Sequence, residues 1–148
     1  MNRLPEPEIT LSELDGVRYL HFGTEWVQGA MNIADPVQIE IEYVRQMMAW
    51  LLFLRASQSI LQLGLGAGAL TRFCHSKLPE SRVTVVDASR RVIDTCHQWF
   101  RLPKANERLE ILHDDAARFI DQCPDKRYGA IQCDLYDADA RGPVLDSL

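Results

Sequence analysis

The chain has 148 residues, a length that favours one domain with a sizeable hydrophobic core. Hydrophobic residues make up 47% of it and charged residues 25%, which is typical of a soluble globular protein. The net charge of -5 argues against a nucleic-acid partner, because such a partner would select a basic surface.

The first 34 residues predict a small N-terminal unit. Residues 1–8 are polar and punctuated by proline, which indicates a loose lead-in and is incompatible with a signal peptide. The next β-rich segment is Val17–Phe22, and after a turn at Gly23 and Thr24 a second strand is expected over 25–31. We therefore predict an antiparallel β-hairpin ahead of the main domain.

A helix is predicted to open the second unit, residues 35–148. Asp35 is a candidate N-cap and Pro36 a candidate first helical residue. Apolar residues then recur at helical spacing up to about Leu54. The most apolar part, residues 47–54, is much shorter than the roughly 20 residues that span a bilayer, so we expect a core helix and no membrane partner.

Strands and helices alternate through the rest of the chain. Strands are predicted over 59–63, 82–86, 109–112 and 128–133. The intervening helices are expected from Leu70 to about Leu78, after a Ser89 cap, and from Ala116 to about Gln122. Their expected buried residues are Val92, Cys96 and Trp99 or Phe100 in the second helix, and Ala117, Phe119 and Ile120 in the third. This rhythm predicts a Rossmann-like parallel α/β sheet with flanking helices.

The first of these strands ends in a glycine-rich turn. Gly64, Gly66 and Gly68 allow a sharp turn and a close approach of the backbone to a ligand. The amides that open the next helix favour a polar or anionic group. About 20 residues later the second strand ends at Asp87, where such folds place an acid for ribose hydroxyls. The two features together predict a nucleoside site.

Acidic residues also follow the later strands. Asp114 and Asp115 come after the third strand and Asp134 after the fourth. Because the carboxyl ends of parallel strands share one edge of the sheet, these residues and the glycine turn are expected to form one site. The alternative for the group that begins at Asp134 is a solvated loop with Asx-turns.

Cysteines and histidines give no metal-binding pattern. The cysteines lack a CxxC pair, which favours reduced, mostly buried thiols in a cytoplasmic protein, and the dispersed histidines lack ligand spacing, so no metal is expected. The cysteines are Cys74, Cys96, Cys123 and Cys133.

The three tryptophans are expected to pack in the core and carry no predicted function. Trp26 would pack on the hairpin, Trp50 on a helix face and Trp99 at a helix end.

From about residue 28 to 143 the chain resembles the spermidine synthases, the polyamine aminopropyltransferases. The resemblance rests on Tyr43-Val44-Arg45-Gln46-Met47-Met48, Gly64-Leu65-Gly66-Ala67-Gly68, Asp87, Asp114-Asp115-Ala116 and Asp134-Leu135-Tyr136-Asp137. It implies a methyltransferase-like fold that binds decarboxylated S-adenosylmethionine or S-adenosylmethionine as cosubstrate. The implied contacts to this nucleoside are Gln28, Gly64, Gly66, Gly68, Asp87, Asp114 and Asp115.

The resemblance also implies a reaction. Asp134 would be the base that deprotonates a polyamine substrate, and Asp137 would be a second contact to the amine. The chemistry agrees, because an amine nucleophile is protonated at neutral pH and a nearby carboxylate can accept its proton. A homo-oligomer, in the form of a dimer, is expected as well.

Three departures separate the chain from this family. Ala67 replaces an aspartate of the glycine motif, and Val44 and Arg45 fall on a Tyr-His pair of the family. The lost carboxylate and the gained cation favour S-adenosylmethionine or another acidic ligand, and with it methyl transfer, although Arg45 could equally lie on a solvated helix face. The third departure is length, since only 14 residues follow Asp134, which makes catalysis by this chain alone doubtful.

Two further hypotheses stay open. The residues Gly64, Gly66 and Ala69 also fit a dinucleotide fingerprint with Asp87 as its acid, which would indicate a nicotinamide-dependent oxidoreductase. A non-catalytic paralogue that keeps the nucleoside fold would explain the replaced acid at position 67 and the short C-terminal part.

Overall fold

The computed structural model of the chain describes residues 6–56 and 58–135. Its N-terminal part is an antiparallel sheet of three strands, β1 (Ile9–Leu14), β2 (Val17–Phe22) and β3 (Val27–Asn32), in that spatial order. The predicted hairpin is thus confirmed as β2 and β3. Strand β1 was not predicted; its residues are mostly exposed and so lack alternating burial. Its turn, Asp15 and Gly16, has positive φ at both residues and was an available hairpin signal.

The predicted helix from Asp35 was wrong over most of its length. Helix α1 is only Glu42–Gln46, followed by a 3₁₀ turn at Ala49–Leu52. Asp35 instead forms a local turn, in which its side chain accepts a hydrogen bond from the Val37 amide at 3.3 Å. The end of the expected core helix is exposed as well, since Phe53 keeps 84% of its surface accessible.

The remaining elements form the predicted parallel α/β unit. Its strands are β4 (Ser59–Leu63), β5 (Arg82–Asp87), β6 (Leu109–His113) and β7 (Ala130–Cys133), and its helices are α2 (Ala69–Lys77), α3 (Arg90–Trp99) and α4 (Ala116–Gln122). The sheet order is β6-β5-β4-β7, with all three pairs parallel. The fold class expected from the sequence is therefore confirmed.

The sheet buries apolar residues on both faces, but less completely under α4. The larger core joins Ile60 and Val85 to the N-terminal sheet, α2 and α3. The smaller core packs Leu61 and Val86 against Phe119. Of the residues expected to be buried on α4, Phe119 is half-buried, whereas Ala117 and Ile120 are exposed. The seven-residue helix reaches the sheet through Ala116 and Phe119, which leaves its other sides open.

The tryptophans and cysteines divide between core and surface. Phe100 is fully buried at the end of α3, while Trp99 beside it is exposed and lies under the guanidinium of Arg18 at 5.7 Å. Trp26 is also exposed, so its predicted packing role was wrong. Among the cysteines, only Cys74 and Cys96 are buried, while Cys123 is half-buried and Cys133 exposed.

Within residues 6–56 and 58–135, every helix is too short or too polar to span a lipid bilayer. The same residues contain no group of three or more His, Cys, Asp or Glu side chains that could hold a metal ion.

The predicted cap of α3 is confirmed, and it also ties down the lead-in. The Ser89 hydroxyl accepts a hydrogen bond from the Val92 amide at 3.0 Å and donates one to the Glu6 carboxylate. That carboxylate also accepts the Arg90 amide at 3.1 Å. The expectation that all of residues 1–8 form a loose segment is therefore wrong for Glu6, whose negative charge suits the positive end of the helix.

We expect Ser89→Ala to lower the free energy of unfolding by about 1 kcal/mol, because the first turn of α3 loses its cap. Ser76→Ala is the matched control, since Ser76 is exposed within α2 and alanine is favourable in a helix. Urea denaturation would measure both. An equal effect of the two substitutions would contradict the capping role.

Candidate functional site

The strand ends converge at one edge of the parallel sheet, as the sequence predicted. Leu63 pairs with Val86 on one side and with Cys133 on the other, so β4, β5 and β7 end side by side. Asp87 pairs with His113 at the end of β6. The chain runs from β4 to β5 and β6 on one side and then to β7 on the other. Ligands bind at such a reversal point in open α/β sheets.

The glycine turn lies at this reversal point, between the end of β4 and α2. Gly64, Gly66 and Gly68 have φ values of 89°, 54° and 75°, a region that residues with a Cβ rarely adopt. At Gly64 space is limiting too, because a Cβ there would come within 2.1 Å of the Asp134 carbonyl oxygen. The turn can therefore lie directly against the end of β7.

Asp87 is anchored to the same turn. One of its carboxylate oxygens accepts the Leu65 amide and the other accepts the Ser89 amide, both at 2.8 Å. Burial raises the pKa of Asp87, and these two amide bonds oppose that change. Each carboxylate oxygen can accept a second hydrogen bond, so the acid keeps capacity for ligand hydroxyls.

Asp134 lies on the other side of the turn. Its amide donates to the Leu63 carbonyl at 2.9 Å, which continues the β7 ladder by one residue. Its carboxylate accepts a hydrogen bond from the Tyr43 hydroxyl at 3.2 Å. Tyr43 was not among the predicted site residues, although it belongs to the motif-bearing segment before β4. The hydroxyl orients the carboxylate.

A pocket lies between β3 and the glycine turn. Its lining combines small or apolar residues with one amide and one carboxylate: Gln28, Gly29, Ala30, Ile41, Val44, Gly64, Leu65, Gly66, Ala67, Ala69, Leu70 and Asp134. Gln28 is buried, and its Oε1 has no hydrogen-bond partner among the described residues. A buried acceptor of this kind usually has a partner, so this atom is suited to receive a donor from a ligand.

Four predicted site residues lie outside the pocket lining, namely Gly68, Asp87, Asp114 and Asp115. Asp115 caps α4 by accepting the Arg118 amide at 2.9 Å. Asp114 accepts a hydrogen bond from the Arg118 Nε at 2.7 Å, and this bond lowers the pKa of Asp114. Both stand at the end of β6, on the expected edge of the sheet. Asp137 lies outside the described residues.

The sequence left open whether Arg45 contacts a ligand or lies on the solvated face of its helix. Its guanidinium is exposed and pairs with Glu42 one helical turn away at 3.2 Å. It also donates to the Glu40 carbonyl at 3.3 Å. Arg45 is absent from the pocket lining, so the structure favours the solvated helix face over a contact with a ligand.

Comparisons with known proteins agree with this arrangement. A family model described as a methyltransferase domain matches residues 60–142, more than half of the chain. A polyamine aminopropyltransferase of Neisseria meningitidis serogroup A is 41% identical over 115 residues, which are 77% of this chain and 44% of that protein. The chain thus spans less than half the length of this relative.

Two solved structures share the fold. A probable spermidine synthase from Corynebacterium glutamicum superposes with a TM-score of 0.75 at 24% identity, over 87% of this chain and 49% of that one. Human methyltransferase-like protein 13, solved in complex with SAH, gives a TM-score of 0.60 at 24% identity, over 66% of this chain and 49% of that one. At this identity the structures show likeness of fold.

Proposed function

Because the chain belongs to the methyltransferase domain family and is similar to the polyamine aminopropyltransferases, we propose that it is a transferase unit that binds an S-adenosyl sulfonium nucleoside. In this proposal it transfers an aminopropyl group to a polyamine. One observation supports it: Asp87 is bonded to the Leu65 amide on one side of the glycine turn, and on the other side Asp134 lines the pocket, with its backbone carbonyl against Gly64. In this proposal Asp87 binds the sugar and Asp134 is the general base.

The residues of the edge suit the parts of such a nucleoside. The free acceptor capacity of Asp87 suits ribose hydroxyls, and the unpartnered Oε1 of Gln28 suits a donor group. Gly64, Gly66 and Gly68 let the backbone approach the ligand closely. Asp114 and Asp115, at the end of β6, are proposed contacts to the adenine ring of the nucleoside.

The proposed step is an in-line displacement at the carbon bound to the sulfonium. The amine nitrogen forms the new C–N bond, the C–S bond breaks, and its electron pair remains on sulfur as a neutral thioether. The amine proton passes to the Asp134 carboxylate, which Tyr43 orients. Holding the amine nitrogen and the carbon in line supplies much of the rate enhancement, so the residues that bind the amine must be fixed in place. Asp137 is proposed as a further contact to the amine.

Methyl transfer from S-adenosylmethionine is the second candidate, and one observation favours it. Ala67 is buried and packs closely on Gly29, since a Cβ added to Gly29 would come within 2.5 Å of the Ala67 Cβ. The position therefore provides no carboxylate for a cationic aminopropyl group. The second argument for methyl transfer is weaker, because Arg45 is engaged on the helix surface.

Calorimetric titration with S-adenosylmethionine, its decarboxylated form and 5′-methylthioadenosine tests the proposal. We expect micromolar binding of at least one of them, which corresponds to about 8 kcal/mol. Tighter binding of the decarboxylated form would support aminopropyl transfer, and tighter binding of S-adenosylmethionine would support methyl transfer. Failure of all three to bind would contradict the proposed function.

We expect Asp87→Asn to weaken nucleoside binding by about tenfold to a hundredfold, since an amide replaces one acceptor oxygen with a donor. The control is Asp94→Asn, which removes one negative charge from an exposed position on α3. Titration of both variants with the nucleoside that the unchanged protein binds best would measure the difference. Equal affinities of the two variants would exclude Asp87 as the ribose acid.

A further inference from the structure

A buried arginine beneath the glycine turn has no role in the proposed chemistry. Arg72 lies on α2, is 3% exposed, and forms no ion pair with an acidic side chain among the described residues. Burial lowers the pKa of Arg72 to about 10, so the guanidinium keeps its charge at neutral pH. A buried charge is stable only where hydrogen bonds replace its hydration.

The hydrogen bonds of this guanidinium go to backbone carbonyls from four separate segments. Nε donates to Pro36 at 2.6 Å, one terminal nitrogen donates to Ala67 and to Phe100, the latter at 2.8 Å, and the other approaches Ala30 at 3.5 Å. These carbonyls belong to the loop after β3, the glycine turn, the end of α3 and β3 itself. One side chain thus joins the N-terminal sheet to the parallel unit.

Two of these segments, β3 and the glycine turn, line the pocket and contact each other, since a Cβ at Gly29 would come within 2.5 Å of the Ala67 Cβ. The lining includes Gln28, Gly29 and Ala30 of β3 and Gly66 and Ala67 of the turn. We propose that Arg72 is a positioning residue that holds β3 against the glycine turn and thereby fixes the relative position of these two lining segments. Its effect on ligand binding rests on the proposed function, while its effect on the two segments does not.

The geometry explains why arginine is required. A guanidinium presents five N–H donors in one plane, whereas an ammonium has three donors at a single point. A lysine at position 72 could keep the charge and reach one or two carbonyls, but it could not span four segments. The unbonded carbonyls would then loosen β3 from the turn.

Amide hydrogen exchange of the full chain tests this role directly, with Arg72→Lys as the variant and Leu109→Ala as the control. Leu109 is buried on β6, outside the pocket lining. Its truncation therefore lowers global stability but leaves the contacts of Arg72 with β3 and the glycine turn unchanged. After correction for global stability, we expect exchange in Arg72→Lys to be about tenfold faster at residues 28–30 and 64–68. Leu109→Ala should show no such local excess.

Nucleoside titration of the same proteins gives the functional readout. Arg72→Lys should weaken binding by about tenfold relative to Leu109→Ala. Arg72→Gln, which is neutral and keeps two donors, replaces the lysine variant if that one does not fold. Exchange at the two segments that accelerates no more than in the control would overturn the inference. If the unchanged chain binds no nucleoside, the proposed function fails, and the exchange result still decides the role of Arg72.

Discussion

Gly64→Ala is expected to lower the free energy of unfolding by about 3–5 kcal/mol, because backbone strain and a steric clash act together. Gly64 has φ of 89°, and an added Cβ would lie 2.1 Å from the Asp134 carbonyl oxygen. The neighbour is backbone, so relief requires β7 to move away from β4. The movement would displace Asp134 from the turn, and we expect nucleoside binding to be lost with the stability.

Gly16→Ala separates the two causes. Gly16 has a similar φ of 78°, but an added Cβ there has no heavy atom within 4 Å. Only backbone strain remains, so the expected loss is about 1–2 kcal/mol, with unchanged nucleoside affinity. Urea denaturation of both variants would measure the difference. Similar losses in the two proteins would show that contact between the turn and β7 is unimportant.

Asp134→Asn is expected to reduce turnover by about a hundredfold to ten-thousandfold, because an amide cannot accept the amine proton. Nucleoside affinity should stay within about threefold, since the ribose acid and the glycine turn are unchanged. Release of 5′-methylthioadenosine in the presence of a polyamine would measure aminopropyl transfer. Asp121→Asn, which removes an exposed carboxylate of α4, should leave turnover unaffected.

The Asp134→Asn variant also distinguishes an enzyme from a non-catalytic protein that only binds the nucleoside. A protein that only binds the nucleoside would bind equally well with and without the Asp134 carboxylate and would show no turnover in either form. Full turnover in Asp134→Asn would instead assign the base to another residue. A loss of nucleoside affinity would indicate that Asp134 contributes to binding.

Prediction from the sequence succeeded where a structural feature depends on a short segment. The Ser89 cap is one example, since it needs only the serine and an amide three residues later. It failed at Asp35, where the same cap pattern forms a turn. There the Pro36 carbonyl is held by Arg72, a contact across 36 residues that no local pattern reveals.

The candidate site shows the same division. The common location of its acids was predicted from the sequence, because each acid follows an apolar strand and parallel strands bring their ends together. Tyr43, by contrast, reaches Asp134 across 91 residues, so its place in the site was not predictable from spacing. Gln28 was identified only through the family resemblance, and its burial beside the turn became evident from packing.

The sequence by itself therefore determined the alternation of strands and helices after residue 59, the glycine turn, and the line of acids along one edge. These follow from local backbone preferences and from the period of apolar residues. Only the tertiary structure decided the strand order, the pocket between β3 and the turn, and the contacts of Arg72 with carbonyls 28 to 42 residues away. Such contacts arise when separately formed elements pack together, because their energy depends on spatial neighbours rather than on adjacent residues.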